Sequence, residues 1–174
     1  MKIKLAIFIF VICLCSIDLF SQEHELRDEF QILPCGDFMA RIDNFFQDLD
    51  NSPNSIGYVV YYGGRYRKKR IVEKGVRKIK LHYAHQNDGL NYAKAIPLYI
   101  EALQKFSSNA NSDVSSRIVL INGGYAENTL IRLWAGSKTK KPVPSIPSIP
   151  EKLIPFKAKK PLETPNYARC YEGV

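Results

Sequence analysis

Residues 56–64 read IGYVVYYGG, and the fold is decided there. Seven residues rich in β-branched and aromatic side chains suit a pleated surface, so Ile56–Tyr62 predicts a strand closed by Gly63-Gly64. Just upstream, NSPNS (51–55) is a turn by composition. Before that turn, Phe38, Ile42, Phe45, Phe46 and Leu49 recur at i, i+4, i+7, i+8 and i+11. That is one face of a 3.6-residue period and predicts a helix from about Asp37 to Leu49. FQILP (30–34) predicts a short strand ended by Pro34.

Working the other way, residues 65–88 fit neither period cleanly, and Gly75 interrupts them. They read as a basic loop or a ragged helix. A second helix is expected from about Gly89 to Phe106, with Ile96, Ile100 and Leu103 inward and a kink at Pro97, which lacks a backbone donor. After a polar loop (107–116), RIVLIN (117–122) and TLIRLWA (129–135) read as two strands joined as a hairpin across Gly123-Gly124. The expected fold class is α+β: two helices packed on a small mixed sheet of about four strands, in the order β-α-β-α-β-β.

The two ends differ from this middle. Lys2 and Lys4 precede an apolar run from Leu5 to Ile17. As a helix it would rise about 20 Å, short of a hydrocarbon core of roughly 30 Å. A basic start, a short apolar stretch and a polar exit predict a secretory signal peptide, residues 1–21, with cleavage before Gln22. Seven of the ten prolines lie between Pro142 and Pro165, so residues 137–174 predict an extended Pro-rich C-terminal arm. The domain proper is then 22–136, and no membrane span remains once the signal is removed.

With 45% hydrophobic and 24% charged residues, the 174-residue chain has the composition of a folding domain. Its formal charge is +8, unevenly placed. Residues 22–64 hold eight acidic and two basic side chains, whereas 65–80 hold nine basic and one acidic. A patch this basic favours an anionic partner. Export directs the expectation away from nucleic acid and toward anionic polymers or lipid head groups. After signal removal only Cys35 and Cys170 remain. An even pair in an exported chain is a disulfide candidate, the alternative being two thiols.

The stretch Asn87, Leu90, Asn91, Lys94, Ala95 and Leu98 resembles the N-x-x-L-S-x-x-R-A-x-x-V pattern of OmpA-like domains, the C-terminal peptidoglycan-associated modules of envelope proteins. Val114-Ser115-Ser116-Arg117-Ile118 is similar to that family's helix-to-strand junction, and Gly123 to Glu127 to its following G-x-G-E. The resemblance spans about residues 30–135. It implies a peptidoglycan-docking fold in which Lys94, standing where the family has Arg, meets a carboxylate. Tyr66 stands where the family's ligand-holding Asp would fall. The chain also resembles uncharacterised exported bacterial proteins that share P-C-x-D (Pro34 to Asp37), R-x-D-x-F (Arg41 to Phe45), G-Y-x-V-x-Y-G-G (Gly57 to Gly64) and G-G-Y…L-W (Gly123 to Trp134).

No G-x-S-x-G or phosphate loop is present. His82, His85 and Asp88 form H-x-x-H-x-x-D, more simply a polar loop than a metal site. Asp37, Asp43, Asp48 and Asp50 fall mostly on the polar face of the first helix. The sequence therefore predicts a non-catalytic envelope module needing no cofactor or metal. Its candidate ligand-binding residues are Lys94, Asn87, Asn91, Arg65, Arg67, Lys68, Lys69 and Arg70. The partner is peptidoglycan or another anionic envelope polymer. The alternative is a protein–protein module presenting Tyr61, Tyr62 and Trp134 to an envelope protein; an enzyme ranks third.

Overall fold

A computed structural model of the chain describes residues 24–85, 87–106, 113–144, 146–154 and 156. The expected signal peptide, Cys170 and the end of the arm lie outside them. The elements are β1 (His24–Phe30), α1 (Cys35–Asp50), β2 (Ile56–Glu73), β3 (Val76–Tyr83), α2 (Asp88–Phe106), a 3-10 turn (Ser115–Arg117), β4 (Ile118–Asn128), β5 (Leu130–Gly136) and a second 3-10 turn (Glu151–Leu153). The class is α+β. The sheet has five strands, because the segment expected to be a loop or ragged helix is strand on both sides of a turn.

Strand order is β1-β5-β2-β3, with β4 also paired to β2. β5 runs antiparallel to β2 over Ile56–Tyr62, and β4 runs parallel to the same residues from Gly57. One strand residue has only two hydrogen-bonding sides, so β4 and β5 flank β2 rather than pair with each other. The expected hairpin across Gly123-Gly124 is thus corrected: both glycines lie inside β4. A Cβ on Gly123 would meet the Tyr62 ring, and one on Gly63 would meet the Tyr125 ring. These glycines make room for facing rings instead of turning the chain. The first strand is also earlier than expected, at His24–Phe30 in place of 30–34, where it pairs antiparallel with β5.

Both helices cover one face of the sheet. The buried side of α1 is the predicted one, Phe38, Ile42, Phe45, Phe46 and Leu49. It meets Tyr92, Ile96, Tyr99 and Ile100 of α2 over Val59, Ile131 and Leu133 of the sheet. Phe38 is the hub, with its ring 5.8 Å from Tyr92, 6.0 Å from Tyr99 and 6.3 Å from Phe30, all edge-on. Polar ends of the same rings lock the elements. Tyr92 Oη donates to the Leu33 carbonyl at 3.1 Å and accepts from the Leu33 amide at 2.6 Å, and Tyr99 Oη donates to Asp43 Oδ1 at 2.8 Å. Helix α2 runs through Pro97 as one element.

The other face carries Val60, Tyr62, Ala126, Leu130 and Trp134, with Ile146 of the Pro-rich arm packed on them. The arm is held as an extra edge contact: the Ile149 amide donates to the Tyr125 carbonyl at 2.8 Å, and the Tyr125 amide donates to Ser148 Oγ at 2.9 Å. Tyr58 Oη donates to the Ser137 carbonyl at 2.7 Å where the arm begins. In its described part the arm lies on the domain.

Candidate functional site: a basic two-stranded ribbon

Past Gly64, β2 continues to Glu73 and leaves the body of the sheet. Its partner there is β3, in antiparallel register from Tyr66↔Tyr83 to Glu73↔Val76. Two residues, Lys74 and Gly75, reverse the chain with φ of +53° and +77°. Left-handed backbone at both central positions is the geometry of a type I′ turn, whose twist matches that of paired strands. Eight residues per strand extend the ribbon about 25 Å.

Seven of the eight residues of β3 are exposed, on alternating sides, so water reaches both faces of the ribbon. Directly opposed residues share a face. One face therefore presents four cross-strand pairs: Tyr66 with Tyr83, Lys68 with Leu81, Arg70 with Ile79, and Val72 with Arg77. Beyond the tyrosines, every pair joins one cation to one aliphatic side chain. Val72 is 71% exposed, Ile79 65%, Leu81 56% and Tyr83 51%. Arg67 and Lys69 occupy the alternate positions of β2, and Lys69 is registered opposite Lys80. Near the tip, Lys78 pairs with Glu73 at 3.1 Å.

At the base the character changes. The Tyr66 and Tyr83 rings lie 5.5 Å apart, and the Arg65 guanidinium stacks on Tyr66 at 5.1 Å. Arg65 thus braces the root of the ribbon, whereas Lys68, Arg70, Lys74, Arg77, Lys78 and Lys80 are exposed along it. The candidates on the second helix sit where the chain returns from β3. Asn87 precedes α2 and its carbonyl accepts from the Asn91 amide at 2.9 Å; Lys94 is exposed one turn further on. At spacings of four and three these residues lie along one side of the helix start. Gly89 presses that start against the Tyr62–Gly63 backbone, which leaves no space for a Cβ.

The other candidates disperse. His82 belongs to β3, His85 to the following turn, and Asp88 Oδ2 accepts from the His85 amide at 3.1 Å. No three His, Cys, Asp or Glu side chains among the described residues form a group able to hold a metal. Tyr62 is fully buried, and Tyr61 and Trp134 are partly covered by the two cores, so they form no exposed aromatic patch. An open cleft of about 600 Å³ lies between β1 and α1. Four of its five charged residues face one another in pairs, Arg41 with Asp28 at 2.5 Å and Arg27 with Asp48 at 3.8 Å, and Asp37 is the fifth. No described helix is long and apolar enough to cross a membrane.

The residues that sequence reasoning missed are Val72, Ile79 and Leu81, together with Arg77, Lys78 and Lys80 on β3. A usable signal was present: Ile71-Val72 and Val76 placed about a two-residue Lys-Gly turn. Neither a protein-family model, nor a curated protein, nor a solved structure matches this chain.

Proposed function

We propose that the chain is an exported, non-catalytic docking module of the cell envelope that attaches to anionic material there, peptidoglycan or another anionic polymer. The observation that carries this reading is the ribbon: in a segment with nine cations and one carboxylate, Lys68, Arg70, Lys74, Arg77, Lys78 and Lys80 stand exposed along two paired strands and their turn. Cations gathered on a projection raise the local potential and draw polyanions from a distance. Lys94, with Asn87 and Asn91 beside it, is the short-range contact for a carboxylate, as the OmpA-like resemblance implies. The N-terminal segment directs export and is removed before Gln22.

Co-sedimentation of the exported, processed chain with purified peptidoglycan, at low and at high salt, tests the reading. Binding that survives high salt and weakens in Lys94→Ala supports a short-range pocket on α2. Binding lost at high salt in both proteins assigns the attraction to the ribbon alone, since exposed charges are screened within about 10 Å at 0.1 M salt. No sedimentation at low salt sinks the peptidoglycan reading.

A further inference from the structure

We propose that the face of the ribbon carrying Val72, Ile79, Leu81 and Tyr83 lies flat on an anionic lipid bilayer surface. The proposal rests on one part of the docking reading, that the ribbon attracts anionic material, and assigns this one face to lipid. A ribbon evolved only to attract a soluble polyanion has no use for aliphatic side chains standing in water. Here three successive pairs each set an aliphatic group beside a cation, and all of these groups are exposed: Leu81 beside Lys68, Ile79 beside Arg70, Val72 beside Arg77. Contiguous exposed apolar surface rimmed by charge marks a surface that is covered in use.

A bilayer interface of phosphate head groups over acyl chains offers both halves of this chemistry at once. Aliphatic and aromatic side chains enter the head-group–acyl boundary, while Lys and Arg stems lie along it and return their charges to the lipid phosphates. The paired Tyr66 and Tyr83 at the root, their rings tilted 36° to each other, suit the same depth, where an aromatic body is buried and its hydroxyl stays wet. The ribbon is two strands wide, and seven of the eight residues of β3 are exposed. Charge complementarity also argues against a second copy as the cover. Stacking two such faces would bring Lys68, Arg70 and Arg77 of one chain against the same cations of the other.

The test uses the exported, processed chain with two kinds of probe: vesicles of phosphatidylcholine with and without about 30% phosphatidylglycerol, and soluble polyphosphate. Two double variants are compared with it, Ile79→Ser/Leu81→Ser and Lys68→Ser/Arg70→Ser. All four positions are exposed, so folding is unaffected, which circular dichroism checks. The expected result is binding to phosphatidylglycerol vesicles in 0.15 M salt that weakens about tenfold in the aliphatic double variant. Polyphosphate binding of that variant stays within about twofold of the parent, and the cation variant loses both. Equal vesicle binding by the parent and the aliphatic variant overturns the proposal. So does polyphosphate binding without vesicle binding, which assigns the ribbon to an anionic polymer. Concentration-dependent dimerisation abolished by the aliphatic substitutions overturns it in favour of a second copy. If neither probe binds the parent, the proposal falls, and co-sedimentation with peptidoglycan decides the docking reading by itself.

Discussion

The backbone nitrogen of Thr129 stands where a Cβ on Gly64 would have to be. β4 ends at Asn128 on one side of β2 and β5 starts at Leu130 on the other, so Thr129 alone carries the chain across the face of the central strand. Only a residue without a side chain permits that crossing. The same crossing marks where β2 stops being core and becomes the root of the ribbon.

Gly64→Ala is accordingly expected to cost about 3 kcal/mol or more. The methyl group meets backbone atoms of Asn128 and Thr129, which have no rotamer to change. Urea denaturation followed by far-UV circular dichroism checks this. Gly75→Ala at the ribbon tip, where nothing lies within 4 Å, strains only a left-handed turn and is expected to cost about 1 kcal/mol. A loss at Gly64 no larger than the loss at Gly75 rejects the crossing as the determinant.

How much of this was legible in the sequence follows from what hydrophobic period reports. The inner side of α1 and the strand Ile56–Tyr62 were readable because each buries one face or two against the core. Seven of the eight residues of β3 are exposed, so Val76–Tyr83 carries no burial period, and pairing with β2 supplies the strand instead. Gly123 and Gly124 looked like a turn because composition cannot separate a glycine that bends the chain from one that makes room for a ring. The candidate cations were readable as a segment. Their arrangement beside Leu81, Ile79 and Val72 was not, since it arises from register across a turn.

Arg117 closes the far end of α1. That helix has no basic residue in its last turn, and the Arg117 guanidinium reaches back to it from β4's 3-10 approach. Nη2 donates to the Leu49 carbonyl at 2.8 Å, and Nη1 donates to those of Ser52 and Ser55 at 3.0 and 2.7 Å. A cation on the carbonyls that end a helix satisfies bonding and dipole together. Arg117→Met is expected to lower stability by about 2 kcal/mol. Arg117→Lys, with one point charge for three acceptors, recovers less than half of that loss in the same denaturation assay.

Alkaline pH tests the burial of two tyrosines, Tyr58 and Tyr61, on opposite faces of β2. Burial raises the pKa of Tyr58 and of Tyr61 above the ordinary 10.0. A phenol harder to ionise in the folded state leaves stability level below about pH 10. Above it the unfolded chain ionises first, so stability falls until the folded pKa values are passed. Denaturation midpoints from pH 8 to 11.5 are expected to be flat and then to decline. Tyr58→Phe reduces the decline, while costing about 1 kcal/mol at neutral pH through the lost bond to the Ser137 carbonyl. A slope unchanged by Tyr58→Phe assigns the alkaline loss elsewhere.

We propose a Cys35–Cys170 disulfide as the fastening of the arm. Cys35 is exposed at the start of α1, and the arm is on the domain as far as Phe156, whose ring lies 5.4 Å from that of Tyr125. The stretch 157–170 spans up to about 45 Å when extended, enough to bring Cys170 around the domain. Closing a loop of about 135 residues is worth about 4–5 kcal/mol in the chain-entropy model. Peptide mapping without reductant is expected to recover the two cysteines in one linked fragment. Two separately alkylated thiols reject the bond.

Trp134 reports whether the arm covers the sheet. It is the only tryptophan, it sits on the second face, and Ile146 packs against that cluster. Ending the chain after Gly136 removes that cover and is expected to shift Trp134 emission to the red, as water replaces apolar neighbours. Ile146→Ser is expected to give a smaller shift of the same sign, because the arm stays hydrogen-bonded at Tyr125 while one apolar contact is lost. A Trp134 spectrum identical in all three proteins would mean that the arm does not shelter the indole. The helix-free face would then depend on its own side chains alone, and the arm's bonds to Tyr125 would serve only to position the residues that follow Phe156.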